Sequence, residues 1–514
     1  MPADGTAIIK RYLKLKGERY NFDDRWETMA PFLAPSRMGI ITTYTEGDDE
    51  SRGVYDSTTM MAAEMMSMFI AGEVINPAQE WLNLSMKHPT VRDVKPVQEW
   101  CEECRDRMLR RLSASAFYAE APESLIDYGG FGTGFLMAEE RPQPKHLTLR
   151  GFRGLYFEAV KTGRFVIQDG SDGLVDTAMR ERKLSARVAA DRWGEAKLPE
   201  GMKQVLASGN ADKVFTFVHD IEPRPKSDQT AGALGMPWMS AWVEMDSKVV
   251  VHEGGYQTFP AAIPRYLRTP GETYGRGRGD LAFPDTWTLN AAKRMGLEDW
   301  AFKIRPPILG ANDSVFGTLR LVPGAFTPVN ARGRDIRQVV VPFETGSHPE
   351  VSQIKEEELR RSIREIFFVD SIRQLMQVEK SEMTAFEFAK KIELLFRLMG
   401  PVYGRMEWEF LHRIVDITFA LMLEGGDFSP PPPEVFETDG VVDVEFDNPI
   451  SRAQRSGGVE ALGMAAQDLA VIGQVYPQVW DRIEPDKLSD DGPVKHFGLI
   501  QLVHIGLCNS FLVF

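Results

Sequence analysis

Cysteine is scarce in this 514-residue chain: only three are present, Cys101, Cys104 and Cys508. Three thiols cannot build a disulfide framework, so a reducing compartment is the natural expectation. Long apolar runs are missing as well. No stretch approaches twenty uninterrupted apolar residues, which argues against a membrane span, and the first residues show no sustained apolar run of a secretory signal. Positive charge is in deficit, with 60 Lys and Arg against 74 Asp and Glu, a formal net charge of −14. Such a chain does not grip nucleic acid tightly over its whole surface, although it can touch DNA without holding it. Histidines are few, eight in all, and none sits beside another ligand at metal-binding spacing.

What is present is ordinary folded composition, 43% hydrophobic and 26% charged, in a chain too long for one core. The first third is expected to be mainly helical. Asp56-Ser57-Thr58 caps a helix that carries five methionines between Met60 and Met68, a stripe of adaptable core or subunit contact. A second helix is expected over Val94–Tyr118. From about Asp127 to Gly275 short β-rich runs take over: Phe135–Glu139, Leu147–Phe152, Leu155–Val160 and Arg164–Gln168, then a hairpin from Trp242–Met245 and Lys248–Val251. A short helix, Ser185–Trp193, interrupts them. The pattern is α+β without βαβ alternation.

Asp285–Lys303 predicts a helix that stops before Pro306-Pro307, and Pro349–Val369 predicts another, with Val351, Ile354, Leu359, Ile363 and Ile366 along one face. Between them lie strand-like pieces, Val315–Val322 and Ile336–Pro342. Each helix is about 30 Å long at ~1.5 Å per residue, so the arrangement is that of a stalk with a β tip. A polar joint, Ser371–Met383, leads to a T-x-x-E capping box at Thr384 and Glu387. It opens a helix running to Glu424, kinked at Gly400-Pro401 and stopped by Gly425-Gly426. Pro430–Pro433 is a rigid spacer, followed by a strand at Val441–Phe446 and a helical region at Gly458–Ile483.

Three features tempt a chemical reading. Cys101-Glu-Glu-Cys104 has redox spacing but lies in a charged helical stretch without a preceding strand, and a structural zinc site lacks its second pair. Tyr128-Gly-Gly-Phe-Gly-Thr-Gly134 looks like a phosphate loop but lacks the Gly-Lys-Ser/Thr ending, which leaves a helix-to-strand junction with a positive φ. Gly275-Arg-Gly-Arg-Gly279 offers two guanidiniums on an approachable backbone, for phosphate or as a hinge into the stalk. No catalytic residue, cofactor site or metal site emerges; the runner-up to a structural protein is a thiol redox or metal-binding enzyme using Cys101 and Cys104.

Several strings, in order over residues 5 to 485, resemble the head-to-tail connector, or portal, proteins of short-tailed bacteriophages. They are Tyr55-Asp-Ser-Thr58, Gly130-Phe-Gly-Thr-Gly134, His219-Asp-Ile-Glu-Pro-Arg224, Tyr274-Gly-Arg-Gly277, Phe283-Pro-Asp285, Leu289-Asn290, Pro306-Pro307, Met383-Thr-Ala385 and Leu398-Met-Gly-Pro-Val402. The resemblance implies a largely helical α+β subunit of a ring, usually of twelve copies, at one capsid vertex. The wing would span 1–279, the first stem helix 280–306, the clip 307–344 and the second stem helix 345–370. A tunnel loop would occupy 371–383, a kinked wing helix with its Pro-rich spacer 384–440, and a crown 441–514.

By the same resemblance the ring is a structural DNA channel, through which double-stranded DNA is packaged and ejected. Its partners would be further copies of itself, the terminase motor, a tail adaptor, and the major capsid and scaffolding proteins. It would sit in the virion after assembly in the bacterial host cytoplasm, without membrane contact. A bore-facing set is expected at Lys355, Glu357, Glu358, Arg361 and Glu365 on the second stem helix, where Lys and Arg alternate with Glu. Arg373, Gln374, Gln377, Lys380 and Glu382 are expected on the tunnel loop. The resemblance stops after Gly492: the family continues there with polar helical sequence, whereas PVKHFGLIQLVHIGLCNSFLVF is apolar.

Overall fold

The computed structural model describes residues 4–42, 53–141, 152–230, 232–311, 322–329, 341–342, 349–377, 402–437 and 441–446. Its elements in chain order are α1 (Gly5–Glu18), α2 (Tyr20–Leu33), α3 (Thr58–Val74), β1 (Leu82–Met86), α4 (Pro89–Arg92), α5 (Lys95–Ser113), α6 (Phe117–Gly130), β2 (Leu136–Glu140), β3 (Leu155–Ala159), β4 (Phe165–Asp169) and β5 (Val175–Ser185). They continue with α7 (Ala186–Trp193), α8 (Glu200–Ala207), β6 (Val214–Pro223), β7 (Trp238–Glu244), β8 (Val250–Tyr256), β9 (Ala261–Ala262) and α9 (Arg278–Ile304). The remainder are β10 (Ile308–Ala311), β11 (Phe326–Val329), β12 (Val341–Pro342), α10 (Pro349–Ile366), α11 (Val369–Gln377), α12 (His412–Glu424) and β13 (Val442–Phe446). The chain divides into two compact units, residues 1–71, 107–374 and 404–429 in the first, and 72–106, 375–403 and 430–514 in the second.

The first unit is organised by a five-stranded antiparallel meander, β4-β5-β6-β7-β8. Successive side chains of a strand point to opposite faces, and β6 shows it: Phe217 and Val218 enter different cores. On one face Val218 joins Val166, Met179, Ala241 and Val243 beneath Ile8, Ile9 and Tyr12 of α1. On the other, Phe217 and Trp242 pack against Trp193, Leu198 and Met202 from α7 and the chain into α8. Ser185 caps α7 by accepting from the Val188 N–H. Gly5 begins α1 against the β7–β8 turn, where a Cβ would lie 2.1 Å from the Lys248 carbonyl oxygen.

A second sheet, β3-β2-β9, follows α6, and a third, β11-β10-β12, follows α9 with β10 and β11 parallel. In the second unit β1 pairs antiparallel with β13, and Trp81 stacks on Phe446. The expected strands at 135–139, 155–160 and 164–168, the hairpin and the Ser185–Trp193 helix are all present within a residue or a few. The helix expected over Val94–Tyr118 is two helices, because the chain turns between α5 and α6. Thr384–Gly400, Gly458–Ile483 and the apolar end after Gly492 lie outside the described residues, as do most of Leu147–Phe152 and Val315–Val322.

Candidate functional site

The stalk exists as a helix pair, but its first helix is longer than the sequence implied. α9 starts at Arg278 rather than Asp285 and carries Pro284 inside it. Its start is fixed by Asp280, whose carboxylate accepts from the Gly277 N–H at 3.0 Å and pairs with Arg25. α9 and α10 are fastened side by side: Ser362 donates to Asp285 at 2.6 Å and Lys293 pairs with Glu356 at 3.1 Å. Arg360 links Glu356 to Asp56, the residue whose carboxylate also caps α3 through Thr58. Asn290 bonds the backbone of Gly53 and Tyr55 in both directions, and Thr59 meets Thr286 at 2.7 Å.

The inner face of α10 differs from expectation. Ile363 is buried, but Ile354 is 63% exposed and Glu356 takes an inner position at 5% exposure. Nine residues span about two and a half helical turns, so Ile354 and Ile363 lie on opposite sides. Lys355, Glu357, Glu358, Arg361 and Glu365 are all exposed. Glu358, Arg361 and Glu365 share the side of Ile354, whereas Glu357 is held by Arg360 and Arg364, whose hydrogen bonds keep its carboxyl below the usual range.

The joint after the stalk is a correction. α10 ends at Ile366, Phe368 takes φ +59, and α11 then runs through Gln377, so the expected loop at 371–383 is helical in its described part. A helical period places Val369 and Ile372 inward, both buried, with Arg373 and Gln374 exposed. Gln377 is the last residue of α11; Lys380 and Glu382 fall outside the described residues.

At the base of the stalk two glycine strings meet. Gly132 has φ +95, and a Cβ there would come within 2.5 Å of the Gly275 carbonyl and the Gly277 nitrogen. One at Gly275 would lie 2.2 Å from the Gly132 oxygen. The backbones therefore touch with no side chain between them. Tyr266 N–H donates to Gly132, Gly134 N–H to Pro264, and Gly275 N–H to the Thr133 hydroxyl. Phe131 and Gly132 both donate to the Asp127 carbonyl, which leaves this loop no ring of N–H groups for an anion. The two arginines are engaged too: Arg276 with Glu272 at 2.5 Å, Arg278 with the Tyr266 hydroxyl at 2.8 Å.

A buried charge cluster that the sequence did not announce lies beside this seam. Arg265, fully buried, pairs with Glu409 and Asp169, each at 2.6 Å, and donates to the carbonyls of Thr273 and Gly173. Glu409 sits in a π-helical turn, Glu407–Leu411, directly before α12. The only signal in the sequence would have been two charged residues amid apolar ones, 144 positions apart.

The sheet holds a second buried polar set. His219, stacked on Trp242 at 4.1 Å, receives a hydrogen bond from Arg180 at Nδ1, so its Nε2 carries the proton toward Ser240 at 2.9 Å. Burial and neighbouring guanidiniums push its pKa well down. Asp220 is different: both carboxylate oxygens lack a hydrogen-bond partner, and burial raises its pKa to about 7. In α5, Cys101 and Cys104 are buried without a disulfide, and burial pushes the Cys101 thiol up to about 11, away from a reactive thiolate. Among the described residues no group of three or more His, Cys, Asp or Glu could hold a metal, and no helix is long and apolar enough to cross a membrane.

The chain is thus a mixed helix-and-sheet scaffold carrying a fastened helical stalk, with its two glycine strings spent on backbone contacts at the stalk's base. Residues 5–492 match the model of the bacteriophage head to tail connecting protein family, and the chain belongs to that family. It is 24% identical over 492 residues to a probable portal protein of Bordetella phage BPP-1, and 23% identical over 490 to a portal protein of Salmonella phage epsilon15. Each alignment covers 94% of this chain and 86% of the relative. Two solved structures also align, the virion of a native gene transfer agent particle and the neck of such a particle computed with C12 symmetry. Their TM-scores are 0.36 and 0.32, both at 12% identity, covering 82% and 80% of this chain and 91% and 87% of theirs. The thiol-enzyme alternative finds no support in these relatives or in the raised Cys101 pKa.

Proposed function

We propose that the chain is the subunit of a portal ring at a capsid vertex, a channel for packaging and ejecting double-stranded DNA. Family membership over 488 consecutive residues, 5–492, carries the proposal. The stalk supports it physically. α9 mixes apolar and charged residues on all sides; it buries Gly279, Ala282, Thr286 and Leu289 within its own chain, yet Leu281, Trp287, Met295, Trp300 and Ile304 remain exposed. Large apolar side chains left in solvent call for cover, and further copies of the same chain would supply it.

In such a ring α10 would turn Glu358, Arg361 and Glu365 to the bore, flanked by Lys355 and Glu357. Two cations against three carboxylates cannot make the array of phosphate contacts that produces a strong, salt-dependent hold on DNA. The excess of acidic residues in the whole chain works in the same direction. Arg373, Gln374, Gln377, Lys380 and Glu382 would form the collar beyond the stem. The β10–β12 region would meet the terminase motor and later the tail adaptor, the capsid and scaffolding proteins surrounding the ring. No enzymatic step is assigned to it.

Analytical ultracentrifugation of the purified chain tests the assembly. A species of about 695 kDa, twelve times 57.9 kDa, with an axial channel in images is expected. A folded chain that sediments at 57.9 kDa at every concentration, with and without scaffolding protein, would overturn the ring.

A further inference from the structure

We propose that Phe368 is the hinge of a two-state joint between α10 and α11, and that the Arg278 guanidinium is the latch holding it bent. Phe368 has φ +59, the left-handed region that bulky side chains avoid and that helix ends usually assign to glycine. No glycine or proline occurs from Glu350 to Gln377, so nothing local obliges the break. Were Phe368 to turn to the right-handed region, α10 and α11 would merge into one helix over 349–377, about 43 Å long at ~1.5 Å per residue. The sequence pattern carries the second stalk helix through Phe368 as far as Val369, so its periodicity does not mark a break at this residue.

What holds the bend is specific. The Arg278 guanidinium lies 4.5 Å from the centre of the Phe368 ring and 5.6 Å from the centre of the Tyr266 ring. Arg278 also donates to the Tyr266 hydroxyl at 2.8 Å, which fixes its plane. Arg364 of α10 reaches over the break to Asp370 of α11 at 3.3 Å. Phe367, Val369 and Ile372 are buried around the turn. The left-handed penalty and the cation–π contact are effects of comparable size, the condition for a joint with two accessible states. Arg278 is the first residue of α9, so one side chain couples the root of the first stalk helix to the direction in which the chain leaves the second. The joint is a property of the single subunit and does not depend on the ring.

Spin labels at Q353C and S371C, both exposed positions, report it in the full chain with its three native cysteines replaced by serine. Labelled chains are diluted into unlabelled ones, so only distances within one subunit are read. A continuous helix would set these Cα atoms roughly 27 Å apart; the bent joint brings them closer. The parent is expected to show the short distance. R278Q and, independently, F368A should raise the long-to-short ratio at least fivefold, because each removes one half of the latch and keeps the left-handed penalty. F368G, which abolishes the penalty, should stay short. Unchanged distances in R278Q and F368A, or lengthening in F368G, would overturn the hinge. Sedimentation of the same samples reports the ring separately.

Discussion

The five-stranded meander and the stalk are built from the same kinds of residue and treat them oppositely. In the meander Trp242, Phe217 and Val218 are sealed by helices of their own chain on both faces. In the stalk Trp287 and Trp300 are 56% and 62% exposed. A sheet with α1 on one side and α7 and α8 on the other has no open apolar face, so it is complete as a single chain. A pair of helices can each cover only one side of the other. The polar groups divide in the same way: most of the buried ones around the sheet are satisfied internally, while the outward charges of α10 await solvent or a neighbour. One region is finished by folding; the other leaves apolar side chains for the proposed ring to cover.

The comparison breaks if the sheet side tolerates loss of its buried charges. Arg265→Ala would leave Glu409 buried without its guanidinium, while Asp169 would keep Arg268 at 2.7 Å. Removing one partner of such a cluster costs about 3–5 kcal/mol. Chemical denaturation should show that loss; a change under ~1 kcal/mol would mean that water already reaches the site.

Asp220 marks a weak point of the sheet side, a buried carboxyl with neither oxygen hydrogen-bonded. Burial pushes its carboxyl from the ordinary 3.8 up to about 7 in the fold. Between those values the folded chain keeps a proton that the unfolded chain has lost. Stability therefore falls as pH rises from about 4 to about 7 and levels off above, with a total on the order of 4 kcal/mol. Asp220→Asn should remove that slope and make the chain more stable at pH 8, measured by urea midpoints across the range. An unchanged slope would assign the pH dependence elsewhere.

The smallest effect on stability, and the most telling, belongs to the stalk. Trp287→Glu with Trp300→Glu changes two exposed positions, so the stability of the single chain should move by less than ~0.5 kcal/mol per site. Sedimentation should nevertheless shift from the ring toward 57.9 kDa. An intact ring in this variant would place the subunit contact on another face.

Much of the stalk and sheet was legible because it is local. Ser185 announces α7, Gly425-Gly426 ends α12 after Glu424, and Pro306-Pro307 follows the end of α9. The helix-to-strand turn at Gly132 was likewise readable from glycine spacing. Illegible were the features in which a distant residue decides. Ile354 counts as apolar in any periodicity, yet the position of α9 determined that Ile363 would be covered and Ile354 would not. Sequence spacing also extended the second stalk helix smoothly past Phe368.

By itself, then, the amino-acid sequence determined the helices, the strand alternation, the family and the order of its strings. Propensity, capping and period act over a few residues, and the ordered strings are matched one position at a time. Only the tertiary structure decided that Gly132 must touch Gly275, that Arg265 must find Glu409, and that Phe368 must turn left-handed against Arg278. Those outcomes depend on which surfaces meet after the chain has closed loops of ninety residues or more, and no local pattern records the partner across such a loop.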